Sequence, residues 1–117
     1  MNTMTDLTGI RAGHPLHEKM RIGGERVGGS RVIEVHNPYT GAVVGTVPKA
    51  SVEEIRRAFA IARAYKPTLT RYQRYEICRR TAEIIRSRAE AISDLITAEC
   101  GIGKKDSRYG VGRACDV

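Results

Sequence analysis

Cysteine is the side chain in this sequence best suited to act as a nucleophile. The three cysteines lie far apart, and the sequence neighbours of Cys100 include no histidine that could act as its base. A reactive cysteine needs an environment that stabilises the thiolate, so we expect Cys100 to be a buried or half-buried structural thiol. An odd number of widely spaced cysteines predicts reduced thiols in a cytoplasmic chain and no disulfide framework. The three residues are Cys78, Cys100 and Cys115.

Two glycine pairs could in principle contact phosphate, but both patterns are incomplete. The segment 101–103 lacks the third glycine of a dinucleotide-binding turn, because Asp106 stands in its place, and no predicted strand precedes it. The segment 110–112 fails in the same way. Lys105 stands where a phosphate loop needs Ser or Thr. The histidines also lack metal-ligand spacing with any cysteine and are expected at the surface; they are His14, His17 and His36.

The apolar pattern predicts short strands at about 20–48, followed by helices. Ser51 with Glu54, and Thr70 with Gln73, have the spacing of helix capping boxes. Gly101 is expected to follow a helix in left-handed backbone geometry. We therefore predict one domain at most, with a flexible extension at residues 1–17. The helices are expected at about 52–65, 71–86, 88–100 and 104–117.

The sequence carries a net charge of +7. Acidic residues alternate with the basic ones at helical neighbour spacing, as in Glu53–Arg57 and Glu76–Arg80, which is typical of a solvated helix face. No nucleic-acid-binding motif accompanies the charge, and no apolar run is long enough to span a membrane. The sequence thus predicts neither a nucleic-acid partner nor a membrane partner.

The order of turns and strands from Arg21 to Pro48 resembles the beginning of the aldehyde dehydrogenase superfamily. Members begin with a hydrophobic residue and Gly-Gly, then a strand, Asn-Pro-x-Thr-Gly and Val-x-x-Val-Pro. A later segment, Glu99-Cys100-Gly101, resembles the family's Glu-Thr-Gly-Lys, with Cys for Thr and with Lys104 two positions late. The matching residues of the first segment are Ile22, Gly23, Gly24, Val35, Asn37, Pro38, Thr40, Gly41, Val44, Val47 and Pro48.

The resemblance covers residues 18–117 and implies the N-terminal portion of an α/β fold: β-hairpin strands and three to four helices of an incomplete doubly wound domain. In the family, a cysteine attacks the aldehyde, hydride passes to NAD(P), and a glutamate activates water. The surroundings of that cysteine, Gly-Gln-x-Cys, occur nowhere in these 117 residues. We therefore expect no catalytic and no cofactor-binding residue here, and the NAD site in parts beyond Val117.

Two sites carry over from the resemblance by position. Some members hold a monovalent cation near the first strands, and the matching positions are the carbonyl oxygens of Val35 and His36 and the carboxylate or carbonyl of Glu99. The alternative is an empty corner with Glu99 capping or solvated. Members that take anionic aldehydes often place an arginine of the fourth helix at the substrate tunnel, and Arg113 matches it. The alternative is an exposed helix arginine.

Within the family, the segments 58–72, 92–109 and 111–117 look like the phosphonoacetaldehyde dehydrogenases, which oxidise phosphonoacetaldehyde to phosphonoacetate with NAD in bacterial phosphonate catabolism. The resemblance thus implies an aldehyde substrate and a homo-oligomer for the full-length enzyme, and a chain that is not competent alone. A second hypothesis is a free-standing basic helical module that binds an anionic partner.

Overall fold

The computed structural model describes residues 15–116. Five short strands precede four helices, so the predicted order of elements is confirmed. The strands are β1 (Leu16–His17), β2 (Met20–Ile22), β3 (Glu25–Val27), β4 (Val32–His36) and β5 (Val43–Pro48). The helices are α1 (Val52–Ala64), α2 (Arg71–Ser87), α3 (Ala89–Cys100) and α4 (Lys104–Ala114).

Both predicted hairpins form, and one further strand joins them. β2 and β3 pair across the Gly23-Gly24 turn, and β4 pairs antiparallel with β5. β1 adds to the other edge of β5 in parallel, with Leu16 beside Gly45, to give the strand order β1-β5-β4. A side chain at Gly45 would overlap the Leu16 carbonyl, so this parallel pairing needs a glycine there.

The N-terminal boundary therefore lies earlier than expected. The expected flexible extension includes Leu16 and His17, yet these residues form β1 and pair with Gly45 and Thr46. His17 Nδ1 also lies 2.8 Å from Thr46 Oγ1. The rest of the proposed extension, residues 1–14, falls outside the described residues.

Local side-chain hydrogen bonds fix where α1 and α2 begin. The Ser51 hydroxyl accepts from the Glu54 amide at 3.2 Å, and the Ser51 amide donates to the Glu54 carboxylate at 2.7 Å. Thr70 and Gln73 repeat this arrangement at the start of α2. Both predicted capping boxes are thus confirmed. The direct amide bond to Ser51 is the main reason that the pKa of Glu54 is lowered.

Small side chains dominate the closest helix packing, between α3 and α4. Ser93 is 0% exposed and Ser107 is 1% exposed, while Val111 and Cys115 complete the buried side of α4. The Ser107 hydroxyl lies 3.0 Å from that of Thr97, so the polar atoms of this contact are paired. The short side chains allow the two helices to approach closely.

α1 and α2 keep much of their apolar surface exposed in this chain. Phe59 is 73% exposed and Ile77 is 53% exposed, and no residue described in either helix is buried. α1 meets the β2–β3 hairpin, where Ile61 lies against Gly23 and Arg57 donates to Glu25 at 3.1 Å. No helix within residues 15–116 has the length and apolar character needed to cross a membrane.

The strand half and the helical half also meet where the Asn37-Pro38 turn touches the end of α3. Gly101 has a φ of 70°, as predicted for the residue after a helix, and its amide donates to the Thr97 carbonyl at 2.9 Å. A Cβ at this position would lie 2.6 Å from Pro38 Cγ. Gly101 is therefore required both for its backbone geometry and for this contact.

We predict that Gly101→Ala loosens the last turn of α3. Left-handed backbone costs an alanine about 1–2 kcal/mol, and the overlap with Pro38 adds to that cost. Amide hydrogen exchange should accelerate by at least roughly tenfold at Gly101 and at neighbouring amides of α3. Gly41→Ala is the matched control, because Gly41 has a φ of 73° but a Cβ there would meet nothing within 4 Å. Equal local effects for both variants would contradict the role of the Pro38 contact.

Candidate functional site

The residues predicted for a cation site belong to the junction between the sheet and α3. Val35 on β4 and Glu99 in the last turn of α3 line one open pocket with a volume of about 60 Å³. Glu18 and Thr46 line the same pocket, while Leu95 supplies an apolar side. Val35 precedes Pro38 by three residues and Glu99 precedes Gly101 by two, so the Pro38–Gly101 contact brings these distant parts of the sequence together.

The side chain of His36, in contrast, is engaged at the hairpin. Its Nδ1 lies 3.1 Å from the Gly41 carbonyl and its Nε2 lies 3.2 Å from the Glu34 carboxylate. His36 is also not among the residues that line this pocket, and its backbone is part of the β4–β5 pairing, opposite Val43. Across residues 15–116, no three His, Cys, Asp or Glu side chains form a group that could hold a metal ion. A cation here would depend on carbonyl oxygens together with Glu99.

Lys104 holds the start of α4 against α3. Its ammonium donates to the Ser93 hydroxyl at 2.5 Å, to the Glu90 carbonyl at 3.1 Å and to the Asp94 carboxylate. One turn later, Arg108 binds both carboxylate oxygens of Glu90 at 2.9 Å each. This bidentate hydrogen bond is the main cause of the lowered pKa of Glu90 and of the raised pKa of Arg108.

The other end of α4 is held by α2. Arg86 donates to the Cys115 carbonyl at 3.2 Å, and its guanidinium lies 3.7 Å from the Asp116 carboxylate. α4 is therefore fixed at both ends, by Lys104 and Arg108 on one side and by Arg86 on the other. A cation near the C-terminus of a helix also suits the negative end of the helix dipole.

Arg113 lies in the last turn of α4, on the side away from α3. Its side chain is exposed, and its guanidinium makes no hydrogen bond or ion pair with any described residue. Because α4 is held at both ends, the charge of Arg113 has a defined position on the exposed side of the helix. A planar guanidinium binds carboxylate, phosphate or phosphonate oxygens in pairs, so the position suits an anionic ligand.

The cysteines differ from expectation at one position. Cys100, the last residue of α3, is exposed, as is Cys78 on α2. The prediction of a buried or half-buried Cys100 is therefore wrong. Cys115 is the buried cysteine, and its thiol donates to the Val111 carbonyl at 3.4 Å. No described histidine lies within hydrogen-bonding distance of any of these thiols.

The residues present do not fit a dinucleotide. The Gly101–Gly103 connection joins two helices, α3 and α4, whereas a dinucleotide-binding turn follows a strand. Gly110 and Gly112 lie within α4. The described part of the chain therefore contains no Gly-x-Gly turn between a strand and a helix that could contact a pyrophosphate.

The chain belongs to the aldehyde dehydrogenase family, which it matches over residues 26–117. It is 30% identical to the 3-sulfolactaldehyde dehydrogenase of Priestia aryabhattai over 112 residues, a match that covers 95% of this chain and 22% of that enzyme. The chain thus spans about a fifth of the length of the curated relatives it matches.

Solved structures of the family have the same fold. The chain superimposes with a TM-score of 0.84 on an NAD-dependent aldehyde dehydrogenase from Sinorhizobium meliloti, at 27% identity, covering 95% of this chain and 24% of the other. For lactaldehyde dehydrogenase from Escherichia coli the TM-score is 0.79 and the identity 31%, covering 88% and 23%. The described strands and helices therefore form part of the aldehyde dehydrogenase fold.

The ionic network between α3 and α4 was not predicted, although its spacing is visible in the sequence. Glu90 with Asp94, and Lys104 with Arg108, are acidic and basic pairs four residues apart on adjacent helices. Such pairs can match when two helices pack side by side. The sequence alone did not show that these particular faces meet.

We predict that acid weakens the α3–α4 contact through Glu90. Its pKa is lowered from the ordinary value of 4.5, so its stabilising effect is present above that value and is lost as the pH falls through the lowered pKa. Glu90→Gln should therefore weaken hydrogen-exchange protection of α4 at pH 6 but have little further effect at pH 2–3. Glu53→Gln, in the first turn of α1, is the control. An equal loss of protection at both pH values would contradict this role.

Proposed function

We propose that this chain is the N-terminal part of an NAD-dependent aldehyde dehydrogenase whose substrate is a short aldehyde with an anionic head group, phosphonoacetaldehyde in particular. The observation that carries the proposal is the exposed guanidinium of Arg113, which forms no ion pair with any residue in 15–116, on a helix fixed at both ends. Family membership supplies the reaction class. NAD would bind in other parts of the enzyme, because the glycine arrangement here does not fit it.

Some of the relatives support an anionic substrate at the level of chemical class. A 3-sulfolactaldehyde dehydrogenase is among them, and the sulfo group in that name is a tetrahedral anion, as a phosphonate is. Lactaldehyde dehydrogenase also resembles this chain, and lactaldehyde carries no such group. A comparison of anionic and neutral aldehydes is thus the decisive measurement for the substrate.

A second part of the proposal is a monovalent cation held by the carbonyl oxygens of Val35 and His36 together with Glu99. Val35 and Glu99 share one pocket, and oxygen ligands suit such a hard cation. We further propose a cytoplasmic location, because the widely spaced cysteines are expected to be reduced. We also propose a homo-oligomer, because the family resemblance implies one.

We predict that the 117-residue chain alone does not oxidise aldehydes, because it contains no Gly-Gln-x-Cys segment. Purified chain with phosphonoacetaldehyde and NAD should give no increase in NADH absorbance above a protein-free blank. Turnover that increases with protein concentration would contradict the prediction. If a Cys→Ser change at one of the three cysteines abolished that turnover, that cysteine would be the nucleophile.

In the complete enzyme, we predict that Arg113→Ala lowers kcat/KM for phosphonoacetaldehyde by roughly ten- to a hundredfold relative to kcat/KM for propanal. Losing a hydrogen bond to a charged group in a partly desolvated site costs about 1.5–3 kcal/mol, whereas an exposed arginine contributes little. Lys105→Ala, which removes an exposed charge from the first turn of α4, is the control and should leave the ratio within roughly twofold.

The three outcomes for Arg113→Ala differ in meaning. A selective loss for the anionic aldehyde supports the proposal. Equal losses for both aldehydes would assign Arg113 a structural role. If neither value changed, Arg113 would not face the substrate, and the proposed substrate class would fail with it.

A further inference from the structure

The C-terminal part of α4, which carries Arg113, has a low helix propensity. Gly110 and Gly112 lie in this part of the helix, and glycine weakens a helix relative to alanine. A Cβ at either position would meet nothing within 4 Å, so packing among the described residues does not require these glycines. Local sequence alone therefore does not explain why the last turn of α4 is helical.

The hydrogen bonds that end α4 are also of a weak kind. Cys115 follows the helix with a φ of −88°, whereas α3 ends in a left-handed glycine. The Cys115 amide donates to the Gly112 carbonyl at 3.0 Å, and the Asp116 amide donates to the Arg113 carbonyl at 3.1 Å. Both bonds span three residues, as in a 3₁₀ turn, whose hydrogen-bond geometry is poorer than that of an α-helix.

Contacts with other elements therefore hold this turn. Val111 and Cys115 are buried and fix its inner side. Arg86, in the last turn of α2, donates to the Cys115 carbonyl at 3.2 Å. Within residues 15–116, this is the hydrogen bond that joins the last turn of α4 to another helix. The Arg86–Asp116 ion pair, at 3.7 Å between exposed side chains, adds little to it.

We propose that Arg86 is a positioning residue for Arg113: by holding the Cys115 carbonyl, it keeps the last turn of α4 helical and so fixes where the Arg113 guanidinium lies. The inference rests on the proposed function, because it assigns Arg86 an effect on specificity that acts through Arg113. Arg86 itself does not contact the substrate in this proposal.

The physical link between the two arginines is short. Cys115 is only two residues after Arg113, so unwinding of the chain at Cys115 would release the residue that carries the charge. A guanidinium binds two oxygens of one anion only when its plane is correctly placed. A displacement of about 1 Å in a residue that positions a substrate can therefore weaken binding without changing any group that touches it.

Arg86→Met in the complete enzyme removes the donor and keeps an unbranched side chain of similar length. We expect kcat/KM for phosphonoacetaldehyde to fall by roughly three- to tenfold relative to that for propanal, the effect of losing one hydrogen bond. Arg86→Lys keeps a cationic donor and should recover most of this loss. Arg80→Met is the matched control, because Arg80 is an exposed residue of α2 without a hydrogen bond or ion pair to any described residue.

The double variant with Arg113→Ala separates positioning from general stability. If Arg86 acts through Arg113, Arg86→Met should lower the anionic-to-neutral ratio no further once residue 113 is alanine. Hydrogen exchange at the Cys115 and Asp116 amides should still accelerate by roughly threefold or more in both backgrounds. A further fall of the ratio in the double variant, or equal losses for both aldehydes in Arg86→Met, would overturn the positioning role.

The results also separate this inference from the proposed function. If Arg113→Ala is selective and Arg86→Met matches Arg80→Met, the inference fails while the proposed function stands. If Arg113→Ala is not selective, the proposed substrate class itself fails. Selectivity in Arg86→Met that disappears in the double variant, with faster exchange at the end of α4, supports the inference.

Discussion

The contact between Pro38 and Gly101 joins two halves of the chain that are otherwise built by local rules. The proline ring is fixed by the tight turn at Asn37, whose side chain accepts hydrogen bonds from the Tyr39 and Thr40 amides. The glycine ends α3 in a geometry that other residues adopt at a cost. Because both residues are held in their own turns, this contact restricts how the sheet and α3 can move relative to each other, together with the contact of α1 with the β2–β3 hairpin.

The α3–α4 pair depends on a different balance. Its buried centre consists of two serines, one valine and one cysteine, so the hydrophobic contribution per residue is small. Lys104 and Arg108 add hydrogen-bonded ion pairs with Asp94 and Glu90 around that centre. Such pairs contribute modestly at a surface, but a bidentate geometry fixes orientation well. These ion pairs therefore fix the direction in which the exposed side of α4, with Arg113, faces.

Features set by neighbouring residues in the sequence could be predicted from it. The capping boxes at Ser51 and Thr70 and the helix end at Gly101 follow from side chains within four residues of one another, and each is observed. The hairpin turns follow from the same kind of signal. The order of these turns and strands along the sequence also indicated the family.

Features that depend on distant contacts could not be predicted. The two-residue strand β1 carries almost no pattern of its own, and its place beside Gly45 depends on tertiary structure. The ion pairs of Lys104 depend on which faces of α3 and α4 meet. The exposure of Cys100 depends on which side of α3 faces the rest of the fold. Of the candidate sites, the positions of Val35, Glu99 and Arg113 are now known, while their roles remain proposals.

The two capping boxes have a consequence for the order of events during synthesis. Each box closes within four residues, so α1 and α2 can begin to form from local contacts alone. Helices form within about a microsecond, whereas a ribosome adds about 5–20 residues per second. α1 is therefore complete about 40 residues, or several seconds, before α4 begins to be added, but an isolated helix of 13 residues is only marginally stable in water. The final position of α1 therefore depends on its contact with the β2–β3 hairpin, which is synthesised before it.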